Sequence, residues 1–174
     1  MIVAVVGPSG AGKDTLIAGA LRAEPGLRLV RRVITRPCDA GSEDFEGVTE
    51  ADFAARQLQG DFALHWEAHG LRYGIPRAQV TGPGIIIFNG SRVALPLAQA
   101  RFPGLRVVLV TAPDAVLAAR LAARGRETAD NIRARLARAA FTLPDGIDAV
   151  TVVNEGTPEQ GVARFLAALQ PVRA

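Results

Sequence analysis

The chain is predicted to fold as a three-layer α/β domain, a five-stranded parallel sheet wrapped by helices, on two observations. Short apolar runs alternate with helix-length stretches along its 174 residues, the pattern of parallel strands joined by crossover helices. The runs at 2–6 and 85–88 are continuous rather than alternating in apolar character, as in strands covered on both faces.

The elements follow in order. Residues 2–6 form the first strand, and a helix runs from Lys13 to about 23, closed by Pro25 and Gly26. A second strand is expected over 29–35, with Arg31 and Arg32 making it less buried. Residues 37–80 form an irregular insert rich in polar residues and glycine, with a short helix over 50–59. The buried strand 85–88 leads into a helix ending near 100, and 107–110 is the next strand. Pro113 opens a helix at a position where proline is tolerated. A long helix is expected over 129–140, then a last strand over 150–153 and a closing helix over 158–169. One domain covering 1–174 is expected, without internal repeat or linker.

With 49% apolar and 21% charged residues the composition is that of a soluble globule. No apolar run approaches the roughly 20 residues of a membrane span. The first apolar run has no basic flank and leads straight into glycines, unlike a signal peptide. Cys38 is the one cysteine, so no internal disulfide can form, and a reducing cytoplasm is the expected compartment.

The basic pI of 9.9 points to anionic partners. Polynucleotide binders spread basic residues along a face with aromatics interleaved. Here Arg120, Arg124, Arg126, Arg133, Arg135 and Arg138 crowd one alanine-rich segment. A compact site for a small phosphorylated molecule is expected, with neither nucleic acid nor membrane as partner. Of the 20 lysines and arginines, 19 are arginine and one, Lys13, is lysine. The arginine bias is resisted at a single position, and that position ends a G-x-x-x-x-G-K sequence.

Gly7-Pro8-Ser9-Gly10-Ala11-Gly12-Lys13 follows a buried strand and opens a helix, the context that identifies a phosphate-binding loop. Glycines let the backbone curl until its N–H groups converge on phosphate oxygens, and the helix N-terminus adds its dipole. Lys13 supplies a point charge to a transferring phosphoryl group. Asp14 stands where such loops place a hydroxyl that binds magnesium, with Thr15 behind it. A carboxylate can bind that hard cation directly. Strand 85–88 is followed by Asn89, where many kinases of this class place an acidic magnesium partner. The negative charge is therefore expected to have moved to Asp14; the alternative is that Asp14 only caps its helix.

Gly7–Lys13, Thr35-Arg36, Gly60-Asp61-Phe62, His69-Gly70, Tyr73-Gly74 and Arg120-Leu121-Ala122-Ala123-Arg124-Gly125-Arg126-Glu127-Thr128 together resemble the guanylate kinases. Asn131-Ile132-Arg133-Ala134-Arg135-Leu136 and Val152-Val153-Asn154 extend the likeness towards the end of the chain. The resemblance implies a P-loop kinase core with an acceptor-binding insert and an arginine-bearing lid at about 124–131. The acceptor side departs from that family. Its two phosphate-gripping arginines correspond to Arg36 and to Asp39, so the second is lost. Its guanine-reading carboxylate corresponds to Leu64, and the hydroxyl after its Tyr-Gly pair corresponds to Ile75. A leucine cannot accept guanine N–H bonds, and losing such partners costs selectivity steeply.

Gly-Lys-Asp in the loop with Asn89-Gly90-Ser91-Arg92 after the third core strand resembles the ribose 1,5-bisphosphate phosphokinases of phosphonate degradation. That resemblance implies transfer of the ATP γ-phosphoryl group, with magnesium, to the 1-phosphate of ribose 1,5-bisphosphate, giving 5-phosphoribosyl 1-diphosphate. Arg124 and Arg135 match lid positions that reach the phosphates, with Gly125 as the hinge, and Arg120 and Arg126 are further lid arginines. Arg36 is the expected phosphate clamp, with Tyr73, Asn89, Ser91 and Arg92 toward the sugar phosphate. His65 and His69 are read as rim residues, and the direction of Glu67 stays open. A guanylate kinase, a gluconate- or shikimate-type kinase using Asp39 as base, and an inactive binding module are the alternatives, and a homodimer stays open.

Overall fold

The computed structural model describes residues 1–37, 44–123 and 142–170. Five strands build the core sheet: β1 (Ile2–Val6), β2 (Leu27–Leu29), β7 (Ile85–Asn89), β8 (Arg106–Thr111) and β9 (Val150–Val153). Their order is β2-β7-β1-β8-β9, and every pairing is parallel. The helices are α1 (Lys13–Ala23), α2 (Glu50–Leu58), α3 (Leu95–Arg101), α4 (Asp114–Ala123) and α5 (Pro158–Leu169).

Strand β1 lies between β7 and β8, and its continuous apolar run has a direct cause. Side chains alternate across a strand. Val3 and Val5 enter one cluster with Leu16, Leu117, Phe165 and Leu169 from the helices. Ala4 and Val6 enter the other, with Phe88, Leu95 and Ala98. Both faces are covered, so β1 has no polar position to spare.

The stretch 29–35, expected as one strand, is divided between two sheets. Leu27–Leu29 pairs with β7, and Val30 N–H still donates to Ile87 O at 2.8 Å. The chain then leaves the core, and β3 (Val33–Ile34) joins a second sheet. Local β-propensity runs through the whole stretch and carries no mark of the change of partner. Nor do Arg31 and Arg32 behave alike. Arg31 is exposed and bonds Asp44 at 2.8 Å, whereas Arg32 is buried with its guanidinium 5.2 Å from the Tyr73 ring centre.

The insert, expected to be irregular around its helix, holds the second sheet, ordered β4-β3-β6-β5. It adds β4 (Glu46–Gly47), β5 (Phe62–Ala68) and β6 (Leu71–Pro76). Strands β5 and β6 form a hairpin turning at His69, whose φ is +54°. Polar residues interrupt β5 where its side chains reach solvent: His65 and Glu67 are exposed and alternate with buried Leu64 and Trp66. Phe62 stacks on Phe53 of α2 at 4.6 Å, while Leu64, Trp66 and Ile75 join the core cluster with Phe88. Helix α2 starts as expected, with the Thr49 side chain accepting from Asp52 N–H.

Helix α4 begins at Asp114, so Pro113 precedes it by one position and lends its carbonyl to Val116 and Leu117 N–H. The helix expected over 129–140 lies outside the described residues. Helix α5 matches its expected bounds and opens on a capping box, Thr157 with Gln160. Glu159 in its first turn is held below the ordinary carboxylate range, first by its own backbone N–H and then by the Thr157 hydroxyl. A lowered value means stability present at neutral pH and lost on acidification through it. Replacing Thr157 by Ala removes the cap, and a loss of about 1 kcal/mol in denaturant unfolding is the expected result.

Candidate active site

Ligands of parallel α/β sheets sit beyond the carboxyl ends of the strands, and here the end of β1 becomes the loop 7–12. A Cβ on Gly7 would fall on the Val110 carbonyl, so the loop can leave β1 hard against β8 only with glycine there. Pro8, Gly10 and Ala11 are buried and Ser9 is exposed; Ala11 N–H closes a turn onto Pro8 O at 3.3 Å. Gly12 is the residue before α1, in the left-handed region at φ +89°, and its carbonyl takes the first helical bond from Leu16 N–H at 3.0 Å. The unpaired N–H groups of the first turn of α1 thereby open directly off the loop.

Lys13 curls back over the loop. Its Nζ donates to Gly7 O at 2.8 Å and to Pro8 O at 3.2 Å. This ties the ammonium to the rim of the nest it would share with a phosphate, a charge held in place before any ligand arrives. Asp14 and Thr15 are exposed in the first turn. The capping position of α1 is Gly12, so Asp14 is an acidic residue of the first turn.

Asn89 stands at the end of β7, paired in register with Val5 of β1. Its Nδ2 donates to Asp14 Oδ1 at 3.1 Å across 75 residues of sequence. The two positions between which the charge was expected to have moved are therefore in contact. The neutral amide donates to the carboxylate there and leaves a single negative charge, where two acids would repel. Among the described residues no cluster of three histidines, cysteines or acids gathers to hold a metal. Ser91 and Arg92 follow at a short 3-10 turn and are half-buried.

The remaining expected residues lie on the insert. Arg36 follows β3, with its guanidinium 4.4 Å from the centre of the Phe45 ring. Its Nε is buried without a hydrogen-bond partner among the described residues. It lines a cavity of about 770 Å³ with Thr35, Glu46, Glu50, Asp52 and Arg56. Arg56 is engaged there by Glu46 at 2.8 Å and Asp61 at 3.5 Å. Tyr73 stacks on Trp66 at 5.3 Å, rings within 7° of parallel. His65 and His69 are exposed, and Glu67 turns to Arg72 at 3.6 Å. Leu64 and Ile75 are register partners across β5 and β6 and are both buried. Arg124, Arg135, Arg126, Gly125, Asp39 and Cys38 lie outside the described residues.

The structure thus brings together the loop, Lys13, Asp14 and Asn89, and sets Arg36 and Tyr73 on the neighbouring sheet. Sequence reasoning gave no role to Arg32 or Asn154. Asn154 is buried and bonded to the loop, and its only sequence signal was its place in the Val-Val-Asn resemblance.

A parallel core sheet with this loop, this lysine and an inserted second sheet defines a P-loop phosphotransferase of the guanylate-kinase type. The guanylate kinase of Anaplasma phagocytophilum superposes with a TM-score of 0.67 at 19% identity, covering 97% of this chain and 83% of that one. A Ruegeria protein named ribose 1,5-bisphosphate phosphokinase PhnN is 49% identical over 99% of this chain and 93% of its own length. The chain belongs to the ribose 1,5-bisphosphate phosphokinase family. A bifunctional ribose 1,5-bisphosphokinase-thymidine phosphorylase of Cupriavidus necator is 50% identical over 170 residues. This chain spans 28% of that longer protein. No family model matches the chain.

Proposed function

We propose that this protein transfers the γ-phosphoryl group of ATP to the 1-phosphate of ribose 1,5-bisphosphate, forming 5-phosphoribosyl 1-diphosphate. The observation that carries the reading is a contrast within one molecule. The phosphate loop is built with Lys13 pinned at its rim, while the two positions that read guanine in guanylate kinases are a buried Leu64–Ile75 pair. Phosphate handling is kept and base recognition is gone.

The acceptor oxygen belongs to a phosphate and is already anionic, so no side chain has to remove a proton. The chain's task is alignment and charge neutralisation. The loop N–H groups and the first turn of α1 hold the β- and γ-phosphates of ATP. Lys13 offsets the charge that spreads over the transferring group. Arg36, at the cavity wall with its Nε lacking a partner among the described residues, grips the acceptor phosphate, with Tyr73, Ser91 and Arg92 toward the sugar phosphate. Arg124 and Arg135 close over the phosphates from the lid and keep water out. Asp14, which accepts from Asn89, would hold magnesium, and that cation would offset phosphate charge there.

ADP release with magnesium-ATP, measured against ribose 1,5-bisphosphate, GMP, AMP, gluconate and shikimate, tests the reading. Turnover confined to ribose 1,5-bisphosphate is expected, and strong GMP turnover would sink it. A magnesium titration of Asp14→Ala tests the metal role separately. The expected result is a half-saturating magnesium concentration raised at least about tenfold, as for the loss of one charged ligand. An unchanged magnesium dependence would remove Asp14 from that role.

A further inference from the structure

The outer side of the phosphate loop is held by two donors that converge on one carbonyl. Asn154 Nδ2 donates to Ala11 O at 2.7 Å, and Arg120 Nη1 donates to the same oxygen at 3.3 Å. The other end of the Arg120 guanidinium donates to the Asn154 carbonyl at 3.2 Å. Asn154 N–H in turn bonds Thr111 O at 2.7 Å, fixing its place just beyond β9. The three residues form a closed set joining the loop to α4 and to the end of β9.

Asn154 is also wedged between two positions that lack a Cβ. One built on Gly12 would overlap its Nδ2, and one on Gly161 of α5 would come within 2.6 Å of its Oδ1. The residue is 6% exposed. A buried amide this enclosed is held by packing as well as by its hydrogen bond, so it makes a rigid anchor.

The chemistry follows from the planarity of the peptide bond. In a trans peptide the C=O and the following N–H point in opposite directions. Pulling the Ala11 carbonyl outward turns the Gly12 N–H to the opposite side of the loop, away from Asn154. Gly12 sits at φ +89°, where glycine adopts either peptide orientation at little cost, so the sequence of the loop alone does not fix this plane. We infer that Asn154 and Arg120 are positioning residues that set the 11–12 peptide so that Gly12 N–H faces the β-phosphate of the bound nucleotide. Arg120 lies on α4, which leads into the segment where the lid arginines are expected, so the clamp also ties the loop to the root of that segment.

The inference rests on the loop binding ATP, and the experiment separates the two. Calorimetric titration of the full chain with magnesium-ADP, together with the Gly12 amide proton resonance, reads the effect. If the unaltered protein fails to bind ADP, the reading of the loop fails. If it binds, Asn154→Ala is expected to weaken ADP about tenfold to thirtyfold, as for loss of a hydrogen bond oriented toward a charged group. The same variant changes AMP affinity less than twofold and loses the ADP-dependent shift of the Gly12 amide. Arg120→Gln keeps Asn154 packed and is the second variant, with a smaller weakening because its bond is longer. The double variant is expected to fall short of the product of the two effects, since both act on one peptide. A folded Asn154→Ala or Arg120→Gln protein with unchanged ADP affinity would overturn the inference. So would equal losses for ADP and AMP.

Discussion

Replacing Lys13 by methionine is expected to lower turnover with ribose 1,5-bisphosphate about a thousandfold, the scale for removing a cation that meets charge developing on a transferring phosphoryl group. Methionine keeps most of the unbranched length of the side chain and removes the charge. The native ammonium donates to the Gly7 and Pro8 carbonyls, but it is half-buried, so water can replace those bonds. The fold is therefore expected to survive, with the thermal midpoint lowered by a few degrees at most, on the order of 1 kcal/mol. Lys13→Arg is the more pointed variant, because the chain uses arginine at every other basic position. A planar guanidinium cannot take the place of a point charge that bonds two successive carbonyls from within the loop. Its turnover is expected to stay at least about a hundredfold below normal. Steady-state ADP release checks both, and a loss under about tenfold in either would exclude Lys13 from the transfer step.

Leu64→Glu is expected to unfold the insert before it confers any recognition of guanine. In guanylate kinases a carboxylate occupies the corresponding position, so the substitution looks like a reversion. Here Leu64 is buried against Ile75, in the cluster that holds Trp66 and Phe88. A carboxylate placed there loses its water and gains no donor, and its pKa rises. A stability loss of about 3 kcal/mol in denaturant titration is expected. GMP turnover is expected to stay absent in Leu64→Glu and in its combination with Ile75→Ser. Measurable GMP turnover in either variant would show that the pocket retains guanine complementarity elsewhere.

Some of this site was open to reading along the chain. The strand 2–6, the glycines, Lys13 and the helix after it are contiguous, so hydrophobic run, loop and helix start were legible together. The strand at 150–153 and the helix opened by Thr157 and Pro158 were legible for the same reason. The failures have a common cause. Residues 29–35 read as one strand because β-propensity does not name a partner, yet the chain changes sheets inside that stretch. The insert read as loop because Leu64, Trp66 and Ala68 are separated by polar His65 and Glu67. That pattern became a strand only once the core covered Leu64 and Trp66.

By itself, then, the sequence showed a G-x-x-x-x-G-K loop after the first strand with the chain's one lysine at its end, because both depend on residue type at short spacing. The expectation that base-reading side chains are missing came from the resemblance to guanylate kinases. Tertiary structure alone decided the rest. Asn89 meets Asp14 across 75 residues, Arg120 reaches Ala11 across 109, and Asn154 reaches it across 143. Such contacts are set by the order β2-β7-β1-β8-β9 and by the packing of helices on it. Strand order is a property of the whole chain's burial, and no local stretch of residues carries it.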